Sequence, residues 1–400
     1  SAASDVYKRQ RQYLTVVGAV MQDIAVLVDL VELAREQGRT VDKGSNTYTA
    51  IVAPQSVAAG TTFIVCTFTN GKTFVYKMKN AADWQAGGEY TYTVSLAAAK
   101  DPGYTIEGNG SYTVTSADGL MNIAELVNGG KTDINITLDK NIDLTGKDWT
   151  PIGTDYDNSY TGTFDGSGHT ITGLTVTTND KYAGLFGYLG NFNNGAATVK
   201  NVVMEGIQIT CNHRLGYAGG VAGFSWGTIE NCSVSGSVSG TVYVGGVVGA
   251  QWNGSITGCS SSATVKGMVQ VGGVAGQTIF GATLTACYAT GNVIIEIDRT
   301  ENISGGGLVG FNDGVSLLSC YATGNVTSTG SSTGYVHIGG FLGDNYTTVT
   351  ACYWKNNHEQ GIGYNRRSTE ATKVDGSVVT WQKACLLYTS PSPRDSTSSR

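Results

Sequence analysis

Small and apolar residues alternate with polar residues in many short segments along the middle of this chain. In one segment Cys287, Ala289 and Gly291 occupy alternate positions. A later segment places Cys320 and Ala322 in the same way. A period of two is typical of a β-strand with one buried face, because successive side chains of a strand point to opposite sides. The pattern therefore predicts short strands joined by turns, without helical periodicity, over most of the chain.

The strand segments belong to a repeat that is marked by a glycine motif of the form GGVAG or GGLVG. The motif occurs six times at intervals of 26 to 36 residues, and its last glycines are Gly187, Gly223, Gly249, Gly276, Gly310 and Gly343. A unit of this length cannot bury its apolar side alone, so neighbouring units must stack. We therefore predict an all-β fold in which each repeat forms one coil of a parallel β-solenoid, or β-helix, with equivalent strands ~4.8 Å apart.

A single cysteine follows the glycine motif by 9 to 11 residues in five repeats, at Cys232, Cys259, Cys287, Cys320 and Cys352. Stacked coils would place these side chains above one another as a structural ladder of buried, free thiols. The spacing lacks the Cys-x2–4-Cys pairs of zinc sites, and parallel side chains do not favour the dihedral angle of a disulfide. An aliphatic residue stands three positions before each cysteine, and this odd offset predicts a bend or bulge between the two.

Repeats of this form resemble the GLUG motif repeats of bacterial surface proteins, with GGVAG, GGVVG or GGLVG followed by NCSVSGSV or ACYATGNV over residues 183–354. The preceding stretch YTGTFDGSGHTITGLTV, residues 160–176, resembles the opening coils of β-helices that carry such repeats. Upstream of it, Ser116 is placed to cap a short helix that would cover the unpaired edge of the first coil. The apolar face of this helix consists of Leu120, Ile123, Ala124 and Val127.

Residues 11–98 indicate a separate β domain. Asn70-Gly71 lies between two runs that are rich in β-forming residues, which predicts a hairpin. The strings YTAIVAPQSV at 48–57 and WQAGGEYTYTVSL at 84–96 resemble the C-terminal lobe of the fimbrillin-like proteins of Bacteroidetes. This resemblance implies a β-sandwich remnant of an exported lipoprotein whose subunits can polymerise by strand donation.

The two ends of the chain resemble translated sequencing adapters, namely SAASDVYKRQ at residues 1–10 and the segment 385–400, which contains CLLYTSPSPRD. We exclude both from the fold prediction as artefact, so a missing signal peptide carries no meaning. The predicted organisation is a partial fimbrillin-like β domain at 11–98, a linker at 99–110, an N-terminal cap and first coils at 111–182, the GLUG solenoid at 183–354 and a partial C-terminal cap at 355–384.

The composition narrows the class of protein further. There are 56 glycines but 5 prolines, and 14% of residues are charged, which argues against collagen and against a charged disordered chain. No apolar run approaches the ~18 residues of a membrane-spanning helix. The net charge is −6, and Glu230 and Lys266 are the only charged residues between Leu215 and Val293. This segment offers no basic stripe for phosphates, so we expect no nucleic-acid partner.

Parallel β-helices include carbohydrate-active enzymes, which need clustered carboxylates or a Lys or Arg base on one face. Near the solenoid, the DYDN and FDGSG stretches favour turn formation over catalysis. Their acidic residues are Asp155, Asp157 and Asp165. The histidines are far apart and none has a triad-like setting, while His358-Glu359 begins like a zinc-protease motif in which Ile362 replaces the second histidine. We therefore expect no catalytic residue, no metal site, no cofactor and no enzyme activity.

Aromatic side chains are the candidates for ligand binding. One row follows the cysteines and consists of Tyr288, Tyr321 and Tyr353, which alternation places outside the coil. A second row lies three residues after the repeat glycine and consists of Trp226, Trp252 and Tyr346. Rows of rings can stack on sugar faces, with Asn and Ser side chains supplying hydrogen bonds. The alternative is that neighbouring rings pack only on one another.

These expectations favour a non-catalytic cell-surface adhesin or fimbria-associated structural protein, exported to the outer membrane, whose solenoid serves as a stalk or a ligand-binding head. Its partners would be a surface glycan or a host or bacterial surface protein, together with other fimbrial subunits. The alternative is a carbohydrate-active β-helix enzyme, a lyase or a hydrolase, whose catalytic residues lie on loops or in missing terminal regions.

Overall fold

The computed structural model of the protein describes residues 12–18, 27–29, 41–42, 47–52, 55–67, 73–85, 89–94, 102–193, 195–297, 301–367 and 371–373. The chain divides into two units between Asn122 and Ile123. Four predicted features lie outside the described residues: the adapter-like ends at 1–10 and 385–400, the Asn70-Gly71 turn, residues 99–101 of the linker and residues 374–384 of the C-terminal cap.

The described part of the first unit is built from short strands. One sheet contains, in order, Val41–Asp42, Thr47–Val52, Gln12–Gly18 and Glu89–Val94. The next contains Leu27–Asp29, Thr62–Thr67 and Thr73–Lys77, and a small one pairs Gln55–Val57 with Ala82–Trp84. Thr62–Thr67 and Thr73–Lys77 run antiparallel, which agrees with the predicted hairpin. Tyr104–Ile106 and Tyr112–Val114 form a further antiparallel pair.

A helix, α1, spans Ala117–Asn128 and begins where the sequence predicts. The Ser116 hydroxyl accepts a hydrogen bond from the backbone N–H of Gly119 at 3.1 Å, which satisfies one of the free donors of the first turn. The predicted apolar face is buried and consists of Leu120, Ile123, Ala124 and Val127. The prediction of a capped, amphipathic helix is therefore confirmed.

The second unit is a parallel β-solenoid of about 7 coils, which confirms the predicted fold class. Each coil contributes strands to sheets that we label A to D, in the order in which the chain passes through them. Equivalent strands of successive coils pair in parallel. Sheets A and B lie on either side of the glycine motif, and sheets C and D lie on either side of the cysteine.

Sheet A consists of Tyr182–Ala183, Tyr217–Gly219, Tyr243–Gly245, Gln270–Gly272, Ile303–Gly306 and Val336–Gly339. Sheet B consists of Phe186–Leu189, Ala222–Ser225, Val248–Trp252, Ala275–Ile279, Val309–Asn312, Leu342–Asn345 and Ile362–Asn365.

Within this unit, sheet C consists of Ile136–Leu138, Thr163–Asp165, Thr198–Lys200, Thr228–Glu230, Ser255–Thr257, Thr283–Thr285, Ser316–Leu318 and Val349–Thr350. Sheet D consists of Ile142–Asp143, Thr170–Thr172, Thr175–Thr178, Val203–Cys211, Ser233–Ser239, Ser260–Ser261, Thr264–Gly267, Tyr288–Ala289, Val293–Ile297, Tyr321–Ala322, Val326–Gly330, Tyr353–Trp354 and Thr372–Lys373.

The strand register shows that equivalent residues of the repeats stack. In sheet C, Ile256 pairs with Leu284 of the next coil. In sheet D, Ser260 pairs with Tyr288, and Tyr288 pairs with Tyr321. The aliphatic row and the row that follows the cysteines therefore occupy matching positions in consecutive coils.

The bend predicted between the aliphatic residue and the cysteine is a turn between sheets C and D. The residue before each cysteine has a positive φ, between 49° and 64°. These residues are Asn231, Gly258, Ala286, Ser319 and Ala351. One left-handed residue redirects the strand, so that the aliphatic residue and the cysteine both point into the coil despite their odd separation.

The five cysteines that follow the glycine motif are free and buried. The thiol of Cys259 lies 3.4 Å from the carbonyl oxygen of Ile229 in the preceding coil and 3.4 Å from that of Thr257. Burial raises the pKa of Cys259 well above that of an exposed thiol, because the thiolate would form in a closely packed interior. Such thiols are small packing groups with little reactivity.

The glycine doublet joins sheets A and B through a connection of two residues, as between Gly272 and Ala275. A Cβ atom added at Gly272 would lie 2.1 Å from the carbonyl oxygen of Ala275 and 2.7 Å from the backbone nitrogen of Gly310. Both are backbone atoms, which cannot move without displacing a strand, so this position requires glycine. This tight connection is a corner of the coil. It brings the residue two positions before the glycine motif, on sheet A, close to the residue just after it, on sheet B, and the candidate site lies at this corner.

Candidate functional site

Two rows of side chains face each other where sheets A and B meet, and we call them the A–B seam. The row on sheet A stands two residues before the glycine doublet, or before Gly184 in the first of these coils. It consists of Tyr182, Tyr217, Tyr243, Gln270, Ser304 and His337. The row on sheet B stands one residue after the last glycine of the motif, ends with a further coil, and consists of Tyr188, Phe224, Ala250, Gln277, Phe311, Asp344 and Tyr364. Parallel register therefore aligns one position of each coil along the solenoid axis.

The N-terminal half of the seam is aromatic and closely packed. Tyr188 stacks on Phe224 with ring centroids 4.3 Å apart, and Tyr217 stacks on Tyr243 at 4.4 Å. The side chains of Tyr188, Tyr217 and Phe224 are at most 8% exposed. Rings this buried offer little open face to a ligand, so ring-on-ring packing accounts for this half.

An exposed aromatic edge borders the aromatic half. The rings of Trp252 and Phe280 are 5.3 Å apart, and the Trp252 indole N–H donates to Oε1 of Gln277 at 2.8 Å. Trp226 contacts Phe192 with a centroid distance of 5.9 Å. Phe192 and Phe280 are 77% and 63% exposed. The two predicted tryptophans therefore lie half-buried beside two exposed phenylalanines.

The C-terminal half of the seam is polar and borders a cavity of about 530 Å³. Its walls consist of Gln270, Asn302, Ser304, Phe311, Tyr335, His337, Asp344, Tyr346 and Tyr364. The change of character begins at Gln270, which follows Tyr243 in its row, and at Gln277, which follows Ala250 in a row that begins with the rings of Tyr188 and Phe224. A concave site that combines aromatic walls with a few convergent polar groups is typical of ligand binding.

Asp344 is a nearly buried carboxyl group in the wall of this cavity, with 4% of the residue exposed. Nδ1 of His337 lies 2.7 Å from its Oδ1, and the Ser304 hydroxyl donates to its Oδ2. Burial raises the pKa of the Asp344 carboxyl, while the bonds from Ser304 and His337 act in the opposite direction. The carboxylate lies between the hydroxyl and the imidazole, so the three groups do not form the nucleophile and base relay of a hydrolase.

Aromatic rings surround the imidazole of His337. The ring of Tyr335 stacks on it at 5.8 Å with an interplanar angle of 17°, and the ring of Tyr364 does so at 4.9 Å and 16°. Tyr346 lies 5.8 Å from Tyr364, and the guanidinium of Arg366 lies 5.8 Å from the Tyr346 ring centroid. Tyr335 is 70% exposed and Tyr364 is 42% exposed. This half of the seam therefore keeps open ring faces, which the aromatic half does not.

The predicted ligand-binding aromatics are distributed over different parts of the solenoid. Tyr346 lines the cavity. Tyr288 and Tyr321 stack on sheet D with centroids 4.8 Å apart and an interplanar angle of 2°, and Tyr353 continues this row. In the second predicted row, two coils with other residue types separate Trp252 from Tyr346. The structure thus brings Tyr346 to the cavity and keeps the sheet D tyrosines on another face.

Sequence reasoning missed the polar members of the cavity, namely Gln270, Ser304, His337 and Asp344. Each stands directly outside the apolar core of the glycine motif, at a fixed distance from its glycines. These positions differ from coil to coil, so a search for what the repeats share does not detect them. The signal that locates the polar half is the change of residue type at the sheet A position, where tyrosine in the earlier coils gives way to glutamine, serine and histidine.

The carboxylates that the sequence assigns to turns are engaged in local hydrogen bonds. Oδ1 of Asp155 accepts the backbone N–H of Asp157 at 3.0 Å. Oδ1 of Asp165 accepts the backbone N–H of Ser167 at 2.8 Å, and its Oδ2 lies 3.3 Å from Nζ of Lys200. Within the described ranges, no group of three or more His, Cys, Asp or Glu side chains is arranged to hold a metal ion.

The structure is therefore that of a glycine-rich repeat solenoid with a cavity on its side. The A–B seam is aromatic in its N-terminal half and polar in its C-terminal half. Family models match two parts of the chain. The fimbrillin-like family matches residues 24–107, and the GLUG motif matches residues 215–239 and 240–266. The predicted description, a fimbrillin-like segment followed by GLUG repeats, is confirmed.

Two curated proteins are similar to part of the chain. Halomucin of Haloquadratum walsbyi is 41% identical over 123 residues, which cover 28% of this chain and 1% of halomucin. A candidate Gly-rich membrane protein of Evansella cellulosilytica is 34% identical over 130 residues, which cover 31% of this chain and 14% of that protein. The aligned part of the chain is therefore a small fraction of the length of either relative.

A crystal structure of a candidate immunoglobulin A1 protease from Bacteroides ovatus has a similar fold. The TM-score is 0.57 at 20% identity, and the match covers 70% of this chain and 88% of that one. A likeness at this identity shows the fold alone. In the part of the chain that the structure describes, no helix is long and apolar enough to cross a membrane. The family matches and the β-helix fold fit a surface structural or adhesin role.

Proposed function

We propose that the solenoid is the binding head of a cell-surface adhesin and that the polar half of the A–B seam binds a surface glycan without altering it. The cavity of about 530 Å³ carries this proposal. It places open aromatic faces beside convergent hydrogen-bonding groups, and a sugar presents an apolar ring face and many hydroxyls to such a site. The fimbrillin-like segment and the GLUG repeats support an exported protein at the outer membrane surface.

Tyr346 and Tyr364 are the rings that we assign to the sugar. Their planes meet at 53°, so they form two walls of the cavity in place of a single flat platform. The guanidinium of Arg366 lies over the ring of Tyr346, which fixes that wall by a cation–π contact. Tyr364 is the more open of the two and is the ring on which a sugar can stack.

The cavity is suited to binding more than to cleavage. Glycoside hydrolases generally place two carboxyl groups on either side of the scissile bond. The residues that line this cavity include one carboxyl group, that of Asp344, and both of its oxygens are engaged by Ser304 and His337. This supports the adhesin over a carbohydrate-active enzyme.

The test measures retention and cleavage together. The full chain is applied to an immobilised panel of polysaccharides and host glycoproteins, and both the bound protein and the freed sugar fragments are measured. We expect retention without fragments, and a loss of affinity of about tenfold or more in a Tyr346→Ala/Tyr364→Ala double variant. Fragment release that disappears in Asp344→Asn would replace the adhesin with an enzyme.

A Tyr288→Ala/Tyr321→Ala double variant is the matched control, because it removes a contacting pair of tyrosine rings from sheet D. We expect this variant to bind as well as the native protein. If it loses retention while the cavity variant does not, the ligand binds to the tyrosine row of sheet D and the cavity is the wrong site.

A further inference from the structure

The carboxylate of Asp344 is not free to contact a ligand in the cavity. Its two oxygens accept bonds from the Ser304 hydroxyl and from Nδ1 of His337, and the residue is 4% exposed. A carboxylate that accepts from Nδ1 fixes the tautomer and the orientation of an imidazole. Asp344 is therefore a positioning residue, and His337 is the group that it presents.

His337 has one polar atom left for a ligand. Nδ1 is engaged by Asp344, and the rings of Tyr335 and Tyr364 stack on the imidazole. Nε2 lies on the edge of the ring away from Nδ1, and the side chain is 26% exposed. A ligand in the cavity therefore meets His337 through Nε2.

The groups in contact with the His337 imidazole are a carboxylate and two aromatic rings. The carboxylate of Asp344 is in direct contact, and the π-systems of Tyr335 and Tyr364 stabilise a cation that stacks on them. Besides His337 and Asp344, the titratable side chains in the cavity wall are the phenols of Tyr335, Tyr346 and Tyr364, and the ring of Tyr346 faces Arg366. No lysine or arginine belongs to the cavity wall, so among these lining residues His337 is the side chain that can present a positive charge.

Gln270 supplies a second point of recognition. Its Oε1 is buried and has no hydrogen-bond partner within the described structure. Gln270 pairs with Ser304 of the next coil, which bonds to the carboxylate that holds His337. A buried amide oxygen without a donor is costly, and a hydroxyl group of a ligand would satisfy it.

We infer that the cavity selects acidic sugars, that is, saccharide units that carry a carboxylate. The carboxylate accepts a charge-assisted hydrogen bond from Nε2–H of His337, a ring hydroxyl donates to Oε1 of Gln270, and the sugar face stacks on Tyr364. This inference deepens the proposed function and rests on it, since it names the class of glycan that the same cavity takes.

The experiment compares acidic polysaccharides with the same polymers after methyl esterification, which removes the charge and keeps the sugar. Polygalacturonate and hyaluronan are each immobilised in both forms, and binding of the full chain is measured at pH 6 and pH 8. We expect the native protein to bind at least one acidic form about tenfold more tightly than its ester, because esterification removes the charge-assisted hydrogen bond from His337. Imidazole side chains in general gain their positive charge as the pH falls from about 8 to about 5, so the preference should be larger at pH 6 than at pH 8.

His337→Asn is the decisive variant, since its amide can still donate to Asp344 but carries no charge. We expect it to bind acid and ester equally while keeping the binding to the ester. His213→Asn removes a histidine that does not line the cavity and should keep the native preference. Equal binding of acid and ester by the native protein would overturn this inference and leave the proposed glycan binding intact. A preference for the acid that survives in His337→Asn would also overturn it. If the native protein binds none of the polysaccharides, both the selection of acidic sugars and the proposed glycan binding are wrong.

Discussion

His337 and Asp344 are seven residues apart in the chain, and the intervening motif GGFLG brings Nδ1 of one to within 2.7 Å of Oδ1 of the other. The same two positions face each other in an earlier coil, where Tyr217 and Phe224 have ring centroids 6.0 Å apart. The glycine motif is therefore a fixed corner that presents one variable pair in each coil. Changing that pair alters the chemistry of the seam and leaves the coil itself unchanged.

The pH dependence of stability provides a direct test of the buried carboxyl group. Burial raises the pKa of Asp344 above 3.8, so the folded protein binds this proton more tightly than the unfolded chain does. The stability that Asp344 contributes is then largest at low pH and is lost as the pH rises through the raised pKa. We expect the free energy of unfolding of the native protein, minus that of Asp344→Asn, to fall as the pH rises from 3.8 through the raised pKa, measured by urea unfolding.

Ser304→Ala is the companion variant for this measurement. It removes a hydrogen bond that stabilises the charged form of Asp344, so the pKa of the carboxyl should rise further and the fall in stability should be larger. A difference that stays constant or grows with pH would show that the hydrogen bonds, and not burial, dominate at this group.

The coil could be predicted from the sequence because its physical requirements recur in every repeat. Ile256 and Cys259 have equivalents in four other coils, and period-two alternation around them indicates one buried face. The polar half of the seam could not be predicted in this way. The residue types of Gln270 and Asp344 are not repeated at the equivalent positions of neighbouring coils. Their proximity to other polar groups depends on the corner between sheets A and B, which only the folded coil reveals. Tyr346 could be predicted as a candidate binding residue because aromatic candidates can be identified from the sequence alone.

The left-handed residues before the cysteines can be tested by two substitutions that should change the free energy of unfolding in opposite directions. Ala286 has a φ of 52°, at the position where the preceding coil has Gly258. A left-handed conformation costs a residue with a Cβ atom ~1 kcal/mol relative to glycine. We expect Ala286→Gly to raise the free energy of unfolding by about 0.5–1 kcal/mol. Gly258→Ala should lower it by at least as much, because the added Cβ would also lie 2.5 Å from Oδ1 of Asn231. Urea unfolding of both variants decides this, and a loss of stability in both would contradict the expected relief of strain.

The glycine doublet should tolerate no side chain. At Gly272 an added Cβ meets three backbone atoms within 2.7 Å, so alanine forces sheets A and B apart. We expect Gly272→Ala to lower the free energy of unfolding by on the order of 3 kcal/mol or more, or to prevent cooperative folding. Gly108→Ala is the control, since nothing lies within 4 Å of its added Cβ, and it should be close to neutral. Similar unfolding midpoints for the two variants would mean that the corner can relax.

Thiol reactivity should separate a packed ladder from an accessible one. The six cysteines between Cys211 and Cys352 are buried and free, and burial raises the pKa of the thiol of Cys287 well above its ordinary value. Reaction then requires local or global opening, so we expect native thiols to react with a disulfide reagent on the order of 10³-fold more slowly than those of the denatured chain. The measurement uses a Cys66→Ser/Cys385→Ser background, which leaves these six thiols alone. All six cysteines should titrate as free thiols in denaturant without reductant. If two or more thiols are missing, and the intact protein is lighter by two hydrogen atoms for each pair, the coils are joined by disulfides and the ladder of free thiols is wrong.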